Sequence, residues 1–403
     1  MTSDSLSGPL EETTATLMAP PLSVYVHIPW CVRKCPYCDF NSHSFEGELP
    51  ESDYLAALIR DLYQDKPLAQ GRPVTSVFFG GGTPSLMSAQ TIGAILNEID
   101  QALGLASDAE ITLEANPGTA EQARFSGYRA AGVNRLSIGV QSFKTQYLRQ
   151  LGRIHSGQEA LAAATMARKA GFARLNLDLM HGLPGQDAPD ACADLSQAIA
   201  LVPEHISWYQ LTIEPNTQFY NDPPLLPIED SLADIQDRGE TLLAQAGYQQ
   251  YEVSAYARPG EAARHNLNYW QYGDYLGLGA GAHSKVTLPG QNRIIRFWKT
   301  RQPGDYLVAH ARAPRLPGHD NPYTAGQESL APEARPLDFL LNALRLNSGV
   351  PSQWFIERAG LALQALEPQW TELQEKGLVE RKPDRLAATS LGRRFLNDLL
   401  AHF

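Results

Sequence analysis

A chain of 403 residues exceeds one ordinary domain, and 43% hydrophobic with 19% charged residues is the composition of a globular protein with ample material for a core. A formal net charge of -11 argues against a nucleic-acid binder, which needs a basic face to meet phosphates. No apolar run is long enough to span a bilayer as a helix, and peripheral association with a membrane is left open.

In chain order, residues 1–20 contain Asp4, Glu11 and Glu12 but no Lys or Arg, so they match neither a secretory signal nor a transit peptide. They read as a disordered tail on a cytoplasmic protein. From 21 to 256, short β-rich runs alternate with helical patterns. The expected strands are 23–28, 74–79, 110–115, 134–140, 174–180, 205–211 and 249–255. Such alternation implies a parallel sheet with right-handed crossovers. Six units predict an α/β fold, a partial (β/α)6 TIM-like barrel, with a full eight-unit barrel as the nearest alternative. Residues 257–330 change character and read as a barrel extension and connector, with a Pro/Gly-rich stretch around 311–323. Residues 331–403 regain helical periodicity and end in a strand, turn, strand and a helix capped near Thr389 or Ser390. This smaller C-terminal α+β domain is winged-helix-like, yet its nearly balanced charge suits packing or partner docking better than DNA reading.

Ligands of a parallel barrel meet the carboxyl ends of its strands, where the βα loops gather. The polar motifs sit at that address. The cysteines follow the first strand, Gly80-Gly81-Gly82-Thr83 the second and Glu114-Ala115-Asn116-Pro117 the third; Gln141 ends the fourth and Asp178 lies near the end of the fifth.

Three of the four cysteines form Cys31-Val-Arg-Lys-Cys35-Pro-Tyr-Cys38, a CxxxCxxC spacing, and Cys192 stands alone in a predicted helix as a small apolar residue. Three thiolates on one loop reach three irons of a [4Fe–4S] cubane and leave the fourth open to a small chelating molecule. S-adenosylmethionine suits that iron through its amino and carboxylate groups. The competing reading is structural zinc, which would recruit a fourth ligand from His27, His43 or Cys192.

With Tyr37 as the aromatic before the third cysteine, this run resembles the radical S-adenosylmethionine proteins. More narrowly, YVHIPWCVRKCPYCDFNS (25–42), FFGGGTPS (78–85), LEANP (113–117), RLSIGVQSF (135–143), LGRIHS (151–156) and LNLDLMHGLPGQ (175–186) resemble the oxygen-independent coproporphyrinogen III oxidase-like family. The resemblance implies a cluster on Cys31, Cys35 and Cys38 and an electron donor such as a flavodoxin or ferredoxin. It also implies an S-adenosylmethionine site formed by Tyr25, Tyr37, Gly81, Gly82, Thr83, Glu114, Gln141, Arg153 and Asp178.

Two functions of that family compete. Its oxidases, which oxidatively decarboxylate coproporphyrinogen III, extend the triplet to CxxxCxxCxC, whereas Phe40 stands at the extra position here. Residues 265–270, His-Asn-Leu-Asn-Tyr-Trp, match the HNxxYW pattern associated with haem chaperones of the family. The resemblance therefore implies a carrier that binds haem and passes it to acceptor haemoproteins. His265 would offer an imidazole to iron, and Tyr269 and Trp270 flat apolar area to the porphyrin. Coproporphyrinogen oxidation, or radical chemistry on another substrate, is the alternative. The plain structural reading of the three residues is a loop packed against the barrel.

Overall fold

The computed structural model describes residues 16–45, 47–312 and 321–403. One twelve-stranded sheet organises the chain. The runs rich in β-branched and aromatic residues become β1 (Leu22–Ile28), β2 (Val74–Gly81), β3 (Leu105–Ala115), β4 (Arg135–Gln141), β5 (Arg174–His181) and β6 (His205–Gln210). All are parallel neighbours in that order. Between and after them run α1 (Glu51–Asp65), α2 (Ala89–Leu103), α3 (Phe125–Ala130), α4 (Gly157–Lys169), α5 (Ala188–Ala200) and α6 (Glu229–Gln245). Local chemistry starts these helices: Ser156 and Glu159 close a capping box on α4, and the Asp187 side chain accepts from the Asp190 amide at the head of α5. One face of the strands, including Val24, Val26, Phe79, Leu113, Ile138 and Leu177, is fully buried in the main core. Each such side chain contributes roughly 1.5–3 kcal/mol of burial.

The sheet does not close into an eight-unit barrel. The expected strand over 249–255 is instead two short antiparallel pieces, β7 (Gln249–Glu252) and β8 (Ala255–Ala257). The chain reverses between them because the Glu252 carboxylate accepts from the Ser254 amide and hydroxyl, stabilising a tight turn. β8 then pairs antiparallel with β6 and β7 forms that edge.

The stretch 257–330 extends the sheet. After α7 (Arg264–Trp270) it adds β9 (Asp274–Leu278), β10 (His283–Leu288), β11 (Arg293–Lys299) and β12 (Thr324–Ser329). β9 lies parallel to β1, and the other three continue antiparallel to the second edge. Glycines make this docking sterically feasible: a Cβ at Gly277 would collide with the His283 backbone, and one at Gly279 with that of His27. Residues 313–320 of the Pro/Gly-rich stretch lie outside the described residues.

A second cluster, with Phe339, Phe355, Trp370, Leu373 and Leu399, organises the C-terminal region. Its strand pairing is short, Val350–Pro351 against Arg385–Leu386 plus a single bridge from Val379 to Ala388. Thr389 caps the following helix by accepting from the Gly392 amide. Leu17, in the segment expected to be a tail, is buried in this cluster; residues 1–15 lie outside the described residues. Among the described residues no helix is long and apolar enough to cross a membrane.

Candidate functional site

The cysteine loop leaves β1 and is stapled at its base, where Trp30–Cys31 pair in parallel with His43–Ser44. Cys31 is buried, Cys35 and Cys38 are half-buried, and all three are free thiols. Each sulfur has at least one polar side-chain neighbour. Thr83 Oγ1 donates to Cys31 Sγ over 3.6 Å, Ser42 Oγ is 3.6 Å from Cys38 Sγ, and Arg153 Nη1 donates to Cys35 Sγ over 3.7 Å. Burial pushes the Cys31 and Cys38 thiols up, so without iron their thiolates are disfavoured.

A cavity of about 330 Å³ opens onto this loop at the carboxyl ends of the strands. With the three cysteines it gathers Tyr37, Gly81, Gly82 and Thr83, from the next strands Glu114, Gln141 and Asp178, and from the loop before α4 Arg153. Gly81 has φ +112°, and a Cβ there would lie 2.5 Å from the His27 ring. Gln141 ends β4 in a left-handed conformation, φ 65°, and its Oε1 accepts from the Tyr209 hydroxyl at 2.8 Å. Burial, with Asp178 nearby, raises the Glu114 carboxyl to about 8. Burial also raises Asp178, opposed by Ser137 and Asn176, which donate to it at 2.8 and 2.7 Å. Two crowded carboxyls of this kind favour a cationic guest.

Sequence reasoning did not single out Asn116 or Tyr209. Asn116 donates to Thr83 Oγ1 at 3.2 Å and accepts from Arg153 Nη2 at 2.5 Å; it lies within the LEANP run that also holds Glu114. Tyr209 sits in the sixth expected strand, where only its inward direction marks it.

Tyr25 does not join the cysteines. Its hydroxyl donates to His27 Nδ1 at 2.9 Å, and its ring stacks on Phe78 and lines a second cavity of about 660 Å³. The physical reason is its place on β1, whose next neighbour β9 turns that inward face toward the hairpin side of the sheet. The second cavity shares Phe40, Gly81 and Glu114 with the first, and Tyr269 and Trp270 line it.

His265 is not on that wall. It is buried with Nδ1 3.4 Å from Glu110 Oε1 and its ring centroid 4.1 Å from that of Phe78. Glu110 also meets Arg174 at 3.1 Å, and Arg135 and Arg174 are the first residues of β4 and β5. Position explains the split: α7 turns His265 toward the strand starts, while Tyr269 and Trp270 follow one turn later. Burial pushes the His265 imidazole down against the pull of Glu110.

The residues present fit a cluster. Three thiols stand beside a polar cavity, each with a hydroxyl or guanidinium neighbour. The candidate zinc ligands are otherwise engaged: His27 accepts from Tyr25 and donates from Nε2 to the Asn41 carbonyl, and His43 Nε2 donates to Asn41 Oδ1. Cys192 is half-buried on α5 rather than fully buried.

The radical SAM superfamily model matches residues 25–195 and the HemN C-terminal domain model residues 330–395. The first family implies a [4Fe–4S] cluster and S-adenosylmethionine. The solved structure of coproporphyrinogen III oxidase (HemN) from Escherichia coli superposes with a TM-score of 0.78 at 24% identity, covering 95% of this chain and 90% of that one, which shows a common fold. The chain is 36% identical over 396 residues to radical S-adenosyl methionine domain-containing protein 1, mitochondrial, of Bos taurus, covering 93% of this chain and 85% of that protein. It is 47% identical over 393 residues to heme chaperone HemW of Haemophilus influenzae, covering 95% and 98%. Identity to heme chaperone HemW of Escherichia coli is 50% over 384 residues, 95% of this chain and 98% of the relative. Likeness of that degree over nearly the whole of both chains shows that this protein belongs to the HemW family of radical S-adenosylmethionine proteins.

Proposed function

We propose that the protein is a haem chaperone: it binds haem in the larger cavity and passes it to acceptor haemoproteins, with the cluster and S-adenosylmethionine assisting or regulating transfer. The observation that carries this reading is the cavity of about 660 Å³, with Tyr269, Trp270, Tyr275 and Trp298 on its walls, which shares Gly81 and Glu114 with the cysteine cavity. Its size falls in the ~300–1,000 Å³ range of small-molecule sites, and its aromatic lining suits a flat tetrapyrrole. The names of the HemW relatives support the same function.

Cys31, Cys35 and Cys38 hold the cluster, which when bound supplies an electron to S-adenosylmethionine. Tyr37, Gly81, Gly82, Thr83, Glu114, Gln141, Arg153 and Asp178 hold S-adenosylmethionine, and a flavodoxin or ferredoxin is the proposed electron source. In this assignment Gly81 and Gly82 let backbone approach the guest, Arg153 meets a carboxylate, and Glu114 and Asp178 meet its cationic groups. Phe40, exposed where the oxidases carry a further cysteine, supports the carrier over the oxidase.

The test is anaerobic reconstitution followed by haem titration and a separate coproporphyrinogen assay. Stoichiometric haem binding without porphyrinogen turnover, and delivery to an apo-haemoprotein, are expected. Robust conversion of coproporphyrinogen would overturn the proposal.

A further inference from the structure

Two histidines reach the wall of the larger cavity, His27 and His283. Both ring nitrogens of His27 are occupied, by the Tyr25 hydroxyl and the Asn41 carbonyl. His283, the first residue of β10, is exposed, and among the described residues neither of its ring nitrogens is hydrogen-bonded. Its ring is nevertheless braced. His283 lies directly across from Trp298 of β11, and the two rings stack at 6.1 Å with planes 27° apart. Trp298 in turn lies over Gly326 of β12, where any Cβ would collide with the indole. A metal ligand needs one unoccupied imidazole nitrogen, which His283 has, and the stacking on Trp298 limits the rotation of its ring.

The surrounding charges separate into used and unused. Lys285 and Arg296 share the hairpin face with His283, but Lys285 meets Asp274 at 3.1 Å and Arg296 meets Asp338 at 2.9 Å. Lys299 is committed to Asp61 and Asp65. Arg301, exposed where the chain leaves β11, has among the described residues only the neutral amide oxygen of Asn41 as acceptor, 3.2 Å from its Nε. A haem presents a flat ring, a central iron and two carboxylates, so it needs aromatic walls, one imidazole and an edge cation.

We propose that His283, rather than His265, supplies the imidazole to the iron of a haem seated in this cavity, and that Arg301 meets one of its propionates. This rests on the haem-binding reading above and names the residues that carry it out.

The test uses the full chain with its cluster reconstituted, titrated with ferric haem and with the haem dimethyl ester. The parent is compared with His283→Ala, His265→Ala and Arg301→Ala. In His283→Ala, haem affinity falls by roughly tenfold or more, the absorption and paramagnetic-resonance spectra of the iron change, and added imidazole restores them. His265→Ala keeps the parental spectra. Arg301→Ala weakens haem but leaves the diester, which lacks the carboxylate charges, unaffected. Unchanged S-adenosylmethionine binding shows that each variant is folded. Parental spectra and affinity in His283→Ala overturn this assignment while leaving the haem carrier standing, as does loss of the parental spectra in folded His265→Ala. Absence of stoichiometric haem binding by the parent overturns both.

Discussion

The guanidinium of Arg153 donates to the Cys35 thiol over 3.7 Å, across 118 residues of sequence. Its Nη2 also donates to the Gly139 carbonyl at 2.8 Å and to Asn116 Oδ1 at 2.5 Å. One cation therefore joins the cysteine loop to the ends of two neighbouring strands. Replacing it with Met removes charge-assisted bonds of about 1.5–3 kcal/mol each, so S-adenosylmethionine affinity should fall at least roughly tenfold. Arg153→Lys restores only part of it, because a lysine lacks the planar fork. Loss of a donor to a cluster sulfur should also lower the reduction potential. Calorimetric titration of reconstituted protein checks the first effect, and parental affinity in Arg153→Met would refute the assignment.

Glu114 makes the site pH-sensitive. Burial, with Asp178 nearby, raises its carboxyl to about 8, so it is largely neutral at pH 7 in the empty cavity. A cationic guest favours the ionised form, so binding releases a proton and affinity should rise with pH, levelling off above about 8. For the unliganded fold the sign is opposite. The neutral carboxyl's contribution is complete below the ordinary carboxyl range and is lost as pH rises through about 8. Glu114→Gln should flatten both trends. Affinity and melting temperature measured from about pH 6 to about pH 9 test this, and a variant that keeps the parental slopes would remove Glu114 from the account.

Gly82 ties β2 to the cysteine loop. Its amide donates to the Ile28 carbonyl at 2.7 Å, and the Thr83 amide donates to the Trp30 carbonyl at 2.8 Å. A Cβ at position 82 would lie 2.5 Å from the Trp30 oxygen. Gly82→Ala should therefore cost about 1–3 kcal/mol and displace the loop. Iron bound per chain after reconstitution is the readout, and a full complement with parental stability would contradict the packing argument.

Lys299 is fully buried and its Nζ lies 2.5 Å from both Asp61 and Asp65. Asn321 donates to both carboxylates, and the Tyr306 hydroxyl donates to Asp61. Lys299→Met leaves two buried acids without their cation and should cost about 3–5 kcal/mol. Denaturant unfolding measures it; a loss under about 1 kcal/mol would mean that the acids simply take up protons at little cost.

The cluster motif was legible because its ligands lie within one loop, where spacing alone sets geometry. The strand-end residues Glu114, Gln141 and Asp178 were legible because parallel strands deliver their carboxyl ends to one place. β9 to β12 were obscure for a local reason. A run such as GDYLGLGAGAH has weak strand propensity, and Gly277 and Gly279 are explained only by the backbones of His283 and His27 that they approach.

By itself, then, the sequence determined the alternating α/β architecture, the three thiols and the polar set at the strand ends, all of which follow from spacing and periodicity along the chain. Tertiary structure alone decided which aromatic residues share a cavity: Tyr25 faces the hairpin side, His265 turns under the barrel toward Glu110, and His283 meets Trp298 across two strands. The direction of a side chain on a half-buried strand or short helix depends on which neighbour packs against it, and that neighbour is distant in sequence.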